Sequence, residues 1–276
     1  MKVLAALALL FLAGAGQCSD QATWMLPAVL PAVIPDGPFA GQGGSERALH
    51  ILGEALPQFP WRYEFAHPLR GLHEIAQHDG HCSSNVGRLP EREEIMIFSN
   101  RPMVSPGYGV ILREDRVAEF QPFLDASGAV DLDKLAEAKE LSGAYPAGRP
   151  HYGTMKSFID GQAGRLTVDS DTIRLFRQLK ARRLDYYLGT RDEALYFAAN
   201  LGDVRVIALP IAGMPRYGLG YIACYKGAIG EKVINAVDDY LADDAHWAAF
   251  IAPWARWLTE EDFAAALKSP VIRPDR

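Results

Sequence analysis

The sequence predicts an α/β fold, and three observations carry that prediction. Helix-period and strand-like segments alternate along the chain instead of segregating into blocks. Hydrophobic residues make up 49% and charged residues 22% of the 276 positions, an ordinary globular balance with material for a sizeable core. Beyond the first residues, neither an internal repeat nor a low-complexity tract interrupts the alternation.

Taken in order, Trp24 to Ile34 is apolar and β-compatible, although its prolines weaken a strand. Asp36-Gly37-Pro38 reads as a turn, and Ser45 is placed to cap a helix carrying Leu49, Leu52 and Leu56 at helical spacing. Trp61 to Phe65 reads as a strand and Leu69 to Gln77 as a helix. Ser83 to Val86 opens a polar loop, Glu91 to Ile97 is a helix bounded by Pro90, and Tyr108 to Leu112 is a strand. A second unit begins near Arg113. It holds a helix over Asp131 to Leu141, a Gly- and Pro-bearing loop through Gly153, and a helical stretch Met155 to Ile159. The strand Arg165 to Val168 and the amphipathic helix Thr172 to Ala181 follow. Strands Leu184 to Leu188 and Val204 to Pro210 then flank a helix Glu193 to Ala199. Tyr217 to Tyr225 is a strand, a long helix starts at Glu231, and Trp247 to Trp257 is a Trp-rich helical tail. Trp247, Phe250, Trp254 and Trp257 recur at three- and four-residue intervals, the stripe of a core-facing helix. Asp238, Asp239, Asp243 and Asp244 read as a solvated helix end.

Charge and termini narrow the function. A net charge of −6 argues against sequence-independent nucleic-acid binding, which needs a basic surface. Met1-Lys2, the apolar run Val3 to Leu12 and the small residues Ala13-Gly14-Ala15 have the layout of a cleavable export signal over residues 1–15. The apolar run is too short to span a bilayer. Export to the periplasm is therefore expected. Gln17 stands before Cys18 where a lipid-anchoring motif would place a small residue, so a soluble product is favoured. Three cysteines, Cys18, Cys82 and Cys224, are no disulfide framework; Cys82 and Cys224 are read either as buried small hydrophobes or as a bridge.

The segments GPFAGQGGSERALHILGEALPQF, GLHEIAQHDGHCSSNVGRLPEREEIMIFSNRP and GYGVILRED, beginning at Gly37, resemble the extracellular solute-binding proteins of the polar-amino-acid transport type. The match is closest to an uncharacterised bacterial branch. LDYYLGTRDEALYF and YIACYKGAIGEKVINAVDDYL fit that family's later strand–helix units, and PEREEIMIFS is the most specific piece. The resemblance implies a two-lobed fold of the type II periplasmic-binding kind. Lobe one would take residues 16–112 and 206–276, and lobe two residues 113–205. Two hinge strands near Gly109 to Glu114 and Asp203 to Leu209 would join them, with ligand held between lobes that close by rotation.

The resemblance also makes Arg92, six residues before Phe98-Ser99, the counterpart of the arginine that grips a ligand carboxylate. A guanidinium is a planar fork that matches a carboxylate bidentately. The competing reading is a surface arginine paired with Glu93 or Glu94. Ser83, Ser84 and Asn85 offer hydroxyls and an amide to a polar ligand, or form an ordinary polar turn. In the second unit Arg149 and Tyr152 lie in the Gly148 to Gly153 loop before a helical segment, where N–H groups favour anions. Thr190 and Asp192 lie where a strand passes into a helix, as ligand contacts or as an N-cap. Thr190 falls in line with the family's ammonium-binding acid and carries no charge. Organic acids are therefore expected to outbind simple L-amino acids, unless Asp192 takes that part through a two-residue shift.

No metal or cofactor is expected. His73, Glu74, His78, His81 and Cys82 cluster, but His73-Glu74 to His78 is one residue longer than H-E-x-x-H. Ser105-Pro106-Gly107 is no nucleophile elbow, and no P-loop or dinucleotide fingerprint occurs. The expected function is a monomeric periplasmic protein that captures a small anionic or zwitterionic solute for an ABC permease. The alternative is a module that presents ligand to an envelope sensor. An enzyme is not expected, because no general acid or base stands out.

Overall fold

The computed structural model describes residues 21–149, 151, 153–200 and 204–270. The expected export signal and Cys18 lie outside the described residues. The first sheet takes β1 (Ala22–Pro27), β2 (Trp61–Ala66), β3 (His81–Val86), β4 (Met96–Phe98), β5 (Met103–Pro106) and, from the far end of the chain, β11 (Tyr217–Tyr225). Its order is β2-β1-β3-β11-β4, with β5 also paired to β11. β1 runs parallel to β2 and β3, whereas β11 is antiparallel to β3, β4 and β5. The second sheet takes β6 (Tyr108–Arg113), β7 (Gly143–Pro146), β8 (Thr167–Asp169), β9 (Tyr186–Thr190) and β10 (Val206–Pro210), in the order β10-β6-β9-β7-β8. Helices α1 (Gly44–Ala55), α2 (Pro68–Ile75) and α3 (Pro90–Glu93) belong to the first lobe. The second lobe holds α4 (Val117–Phe120), α5 (Leu132–Glu137), α6 (Gly153–Gly161), α7 (Thr172–Lys180) and α8 (Arg191–Asn200). The chain then returns to the first lobe with α9 (Ala228–Leu241), α10 (Asp244–Ile251) and α11 (Glu260–Leu267).

Local chemistry explains the elements that form where expected. In α7 the Asp171 side chain accepts the Arg174 N–H at 3.1 Å, and Leu175, Phe176 and Leu179 are fully buried on one face. The tail aromatics Trp247, Phe250, Trp254 and Trp257 are all buried, and two indoles donate to carbonyls, Trp247 to Ala266 and Trp257 to Gln42.

Elsewhere tertiary pairing overrides the local pattern. Ser83 to Val86 is strand, not loop, because this stretch of β3 pairs with β11, while its first residues, His81 and Cys82, pair with β1. The Ser83 hydroxyl adds a 2.8 Å bond to the Met25 carbonyl. The helix expected over Glu91 to Ile97 stops after one turn, since Met96 to Phe98 pair with Tyr225 to Ala223 of β11. β7 lies in a stretch expected to be loop, between β9 and β8. Ser45 is not the cap of α1. The helix begins one residue earlier, after Gly43, which packs so closely on Val33 that a Cβ would lie 2.9 Å from its Cα. Of the aspartates expected at a solvated helix end, Asp239, Asp243 and Asp244 are exposed, with Asp243 capping α10 and Asp244 pairing with Arg101 at 2.9 Å, whereas Asp238 is half-buried and accepts the Asn100 N–H at 2.7 Å.

Cys82 and Cys224, opposite each other on β3 and β11, form a fully buried disulfide. Cys82 is thereby removed from any histidine cluster. The passage between sheets is a narrow ribbon. β5 pairs with the start of β11, the Gly107 N–H donates to the Arg216 carbonyl at 2.7 Å, and β6 then pairs with β10 in the second sheet. The connection thus lies at Gly107 and between Pro210 and Tyr217. Of the crossing stretches expected over Gly109 to Glu114 and Asp203 to Leu209, Gly109 to Arg113 and Val206 to Leu209 are strands of the second sheet, where they pair with each other and the former also with β9; Asp203 lies outside the described residues. At Gly107 a Cβ would lie 2.8 Å from the Arg216 carbonyl oxygen, so the two chains approach too closely for a side chain.

Candidate functional site

A cavity of about 440 Å³ opens between the lobes. That is within the ~300–1,000 Å³ usual for small-molecule sites. Of the residues singled out from sequence, Arg92, Ser83, Ser84, Asn85, Arg149, Thr190 and Asp192 all line it. Tyr152 lies outside the described residues.

The first lobe presents one cation. Asn85, the penultimate residue of β3, lies in the left-handed region at φ 57°, a conformation asparagine tolerates better than most residues. The chain then turns through Gly87 into α3, with Pro90 at its start and Arg92 on its single turn. One Arg92 nitrogen donates to the Gly87 carbonyl at 2.9 Å. Glu93 pairs with Arg88 instead, so among the described residues no carboxylate forms a salt bridge with Arg92. Burial lowers the Arg92 pKa, partly offset by Glu91 and Tyr108. The guanidinium is half-buried and keeps donors free for an anion. Ser83 and Ser84 are both buried, and the Ser83 hydroxyl is taken by Met25.

The second lobe presents an acid. Thr190 ends β9 and Arg191-Asp192-Glu193 open α8, and the Glu193 carboxylate accepts the Thr190 N–H at 3.0 Å. Arg149 meets Glu193 with a two-pronged pair, 2.7 and 2.6 Å. Burial pulls the Arg149 pKa down, but Glu193 outweighs it and holds the guanidinium firmly charged. Arg149 lines the cavity, yet its charge is matched inside the protein. Asp192 differs: it is 6% exposed, its Oδ1 has no partner, and burial pushes its carboxyl up to about 7. The Thr190 hydroxyl and Arg149 oppose that rise, and Glu193 adds to it. The acid thus stands at Asp192, two residues beyond Thr190, on the first turn of α8.

Sequence reasoning missed Glu193, although the T-x-x-E spacing from Thr190 to Glu193 marks a capping box. It also missed Arg88, which sits 5.6 Å from the Phe98 ring centre and 5.8 Å from that of Tyr221. The lobes touch at the cavity mouth, where a Cβ on Gly148 would come 3.1 Å from Leu69 Cδ2. Arg191 of α8 also reaches Asp262 of α11 at 2.8 Å.

No family model matches the chain, and no curated protein matches it in sequence. Solved structures do resemble it. A probable amino-acid ABC transporter extracellular-binding protein from Bacillus subtilis superposes with a TM-score of 0.59 at 14% identity, covering 86% of this chain and 98% of that one. A histidine kinase sensor domain with similarity to periplasmic binding proteins gives 0.61 at 15%, covering 86% and 95%. An amino acid ABC transporter substrate-binding protein from Streptococcus pneumoniae, bound to L-arginine, gives 0.60 at 14%, covering 91% and 95%. Two sheets joined by a two-stranded ribbon, a cleft between them, and these superpositions over most of both chains agree: the chain has the two-lobed periplasmic-binding-protein fold.

Proposed function

We propose that this protein captures a small zwitterionic solute between its lobes for hand-over to a membrane transporter. One observation supports the reading above the others. A single cavity holds Arg92 from one lobe, with no carboxylate partner among the described residues, and Asp192 from the other, with an unpartnered carboxyl oxygen. A carboxylate at Arg92 and an ammonium at Asp192 would satisfy both groups and draw the lobes together. Asp192 also shifts the expectation away from organic acids, since a second anion beside it would be repelled. Closure about Gly107 and the Pro215-Arg216 segment is part of the same proposal. Among the described residues no helix is long and apolar enough to cross a membrane.

The test is a thermal-shift screen of the purified chain against amino acids, their decarboxylated amines and their deaminated acids. Zwitterions should raise the melting temperature, because ligand that binds only the folded state stabilises it by mass action. A shift from acids alone, or from amines alone, would sink the reading. Presentation to a sensor would use the same cleft, and the sensor-domain likeness keeps that reading open. Permease or kinase genes beside this one would separate the two.

A further inference from the structure

Recognition of a zwitterion engages two charges and leaves most of the cleft wall for the rest of the solute. Among the described residues, the titratable side chains lining it are Arg88, Arg92, Arg149, Asp192 and Tyr108. Arg149 is matched by Glu193, and Arg88 by Glu93 and the faces of Phe98 and Tyr221. One cation and one acid remain for the solute, so no charged group is left over to receive a charged side chain.

Apart from the polar stretch Ser83-Ser84-Asn85 and Ser105, the rest of the first-lobe wall is apolar. Pro27, Val29, Leu30 and Val33 come from the end of β1 and the turn after it, and Leu72 and Ile75 from the facing side of α2. One polar group interrupts this arm, the Ser45 hydroxyl, which is 1% exposed and unpartnered. A charged side chain entering here would lose its hydration and gain no counter-ion. An apolar one would bury its surface against six apolar neighbours.

We infer that the solute carries an uncharged, apolar side chain of leucine-to-phenylalanine size, lodged between the β1 turn and α2. This rests on the zwitterion reading of Arg92 and Asp192 and adds the substrate class to it.

Calorimetry on the full chain tests it with six probes: L-leucine, L-phenylalanine, L-arginine, L-glutamate, 3-phenylpropionate and 2-phenylethylamine. Leucine or phenylalanine should bind about 10- to 100-fold more tightly than arginine and glutamate, the discrimination one buried apolar group supplies. Arginine or glutamate binding as well as both apolar amino acids overturns the inference and leaves the zwitterion reading standing. If 3-phenylpropionate or 2-phenylethylamine binds as tightly as phenylalanine, the zwitterion reading falls and the apolar arm stands. No binding by any probe at millimolar concentration overturns both. A second measurement uses Val29→Asp, at a half-buried position. It should weaken leucine and phenylalanine at least ~10-fold and improve arginine, with little change in melting temperature; unchanged leucine affinity counts against the arm.

Discussion

Replacing Asp192 by asparagine should make the ligand-free protein more stable at neutral and alkaline pH while weakening it as a binder. The buried carboxyl is pushed from its ordinary 3.8 up to about 7. A tenfold change in proton affinity is worth ~1.4 kcal/mol, so at pH 8 the free protein carries about 4 kcal/mol of penalty for holding this charge. The unfolded chain releases the proton near pH 4 and the folded chain only near pH 7. Between those values the folded state binds the extra proton, so stability falls as pH rises through that window and levels off above it. An asparagine side chain has no proton to release. Urea unfolding at pH 4, 6 and 8 should give nearly equal stabilities for the two proteins at pH 4, and an advantage to Asp192→Asn approaching about 4 kcal/mol at pH 8. The same variant should bind a zwitterion at least ~30-fold more weakly at pH 8, since it leaves a buried ammonium without its counter-ion. Parallel stability curves from pH 4 to 8, or a variant less stable at pH 8, would refute the argument that Asp192 is a desolvated acid kept for a ligand.

Two further outcomes are expected. Arg92→Ala should cost about 2–5 kcal/mol of solute binding in calorimetry with L-leucine or L-phenylalanine as probe. The free protein should melt almost unchanged, because the Arg92 guanidinium ties down only the nearby turn, through its bond to the Gly87 carbonyl; equal affinity removes it as the anchor. The Cys82–Cys224 bridge closes a sequence separation of 142 residues, worth about 5 kcal/mol on the loop-entropy account. Urea unfolding of Cys82→Ala/Cys224→Ala should show a loss of that order, and equal stability of the two forms would dismiss it.

The sequence was most legible where local chemistry and tertiary demand coincide. Tyr217 to Tyr225 is strand over its whole expected length, and α7 runs from an Asp171 cap through three buried apolar positions. It was least legible where polar residues sit in the middle of a sheet. Ser83-Ser84-Asn85 has turn chemistry, and only β11, brought in from a distant part of the chain, makes it a strand. The cleft residues were visible as residue types, whereas their pairing was not. Arg149 and Glu193 are 44 residues apart, and nothing local announces that one cancels the other. The acid is placed at Asp192 and not Thr190 by where α8 begins, a boundary that sequence patterns locate only to within a residue or two.

The position of β11 in the first sheet has a consequence for a chain made from its N-terminus. Every strand of the second sheet lies between Tyr108 and Pro210, so that lobe has all its pairing partners once residue 210 is made. The lobe begun first must wait, because β3, β4 and β5 all pair with β11, the last strand to appear. Until residues 217–225 emerge, those strands keep open edges that another chain can pair with. The later lobe therefore has all its strand partners in hand before the earlier one, whose sheet is complete only with Tyr217–Tyr225.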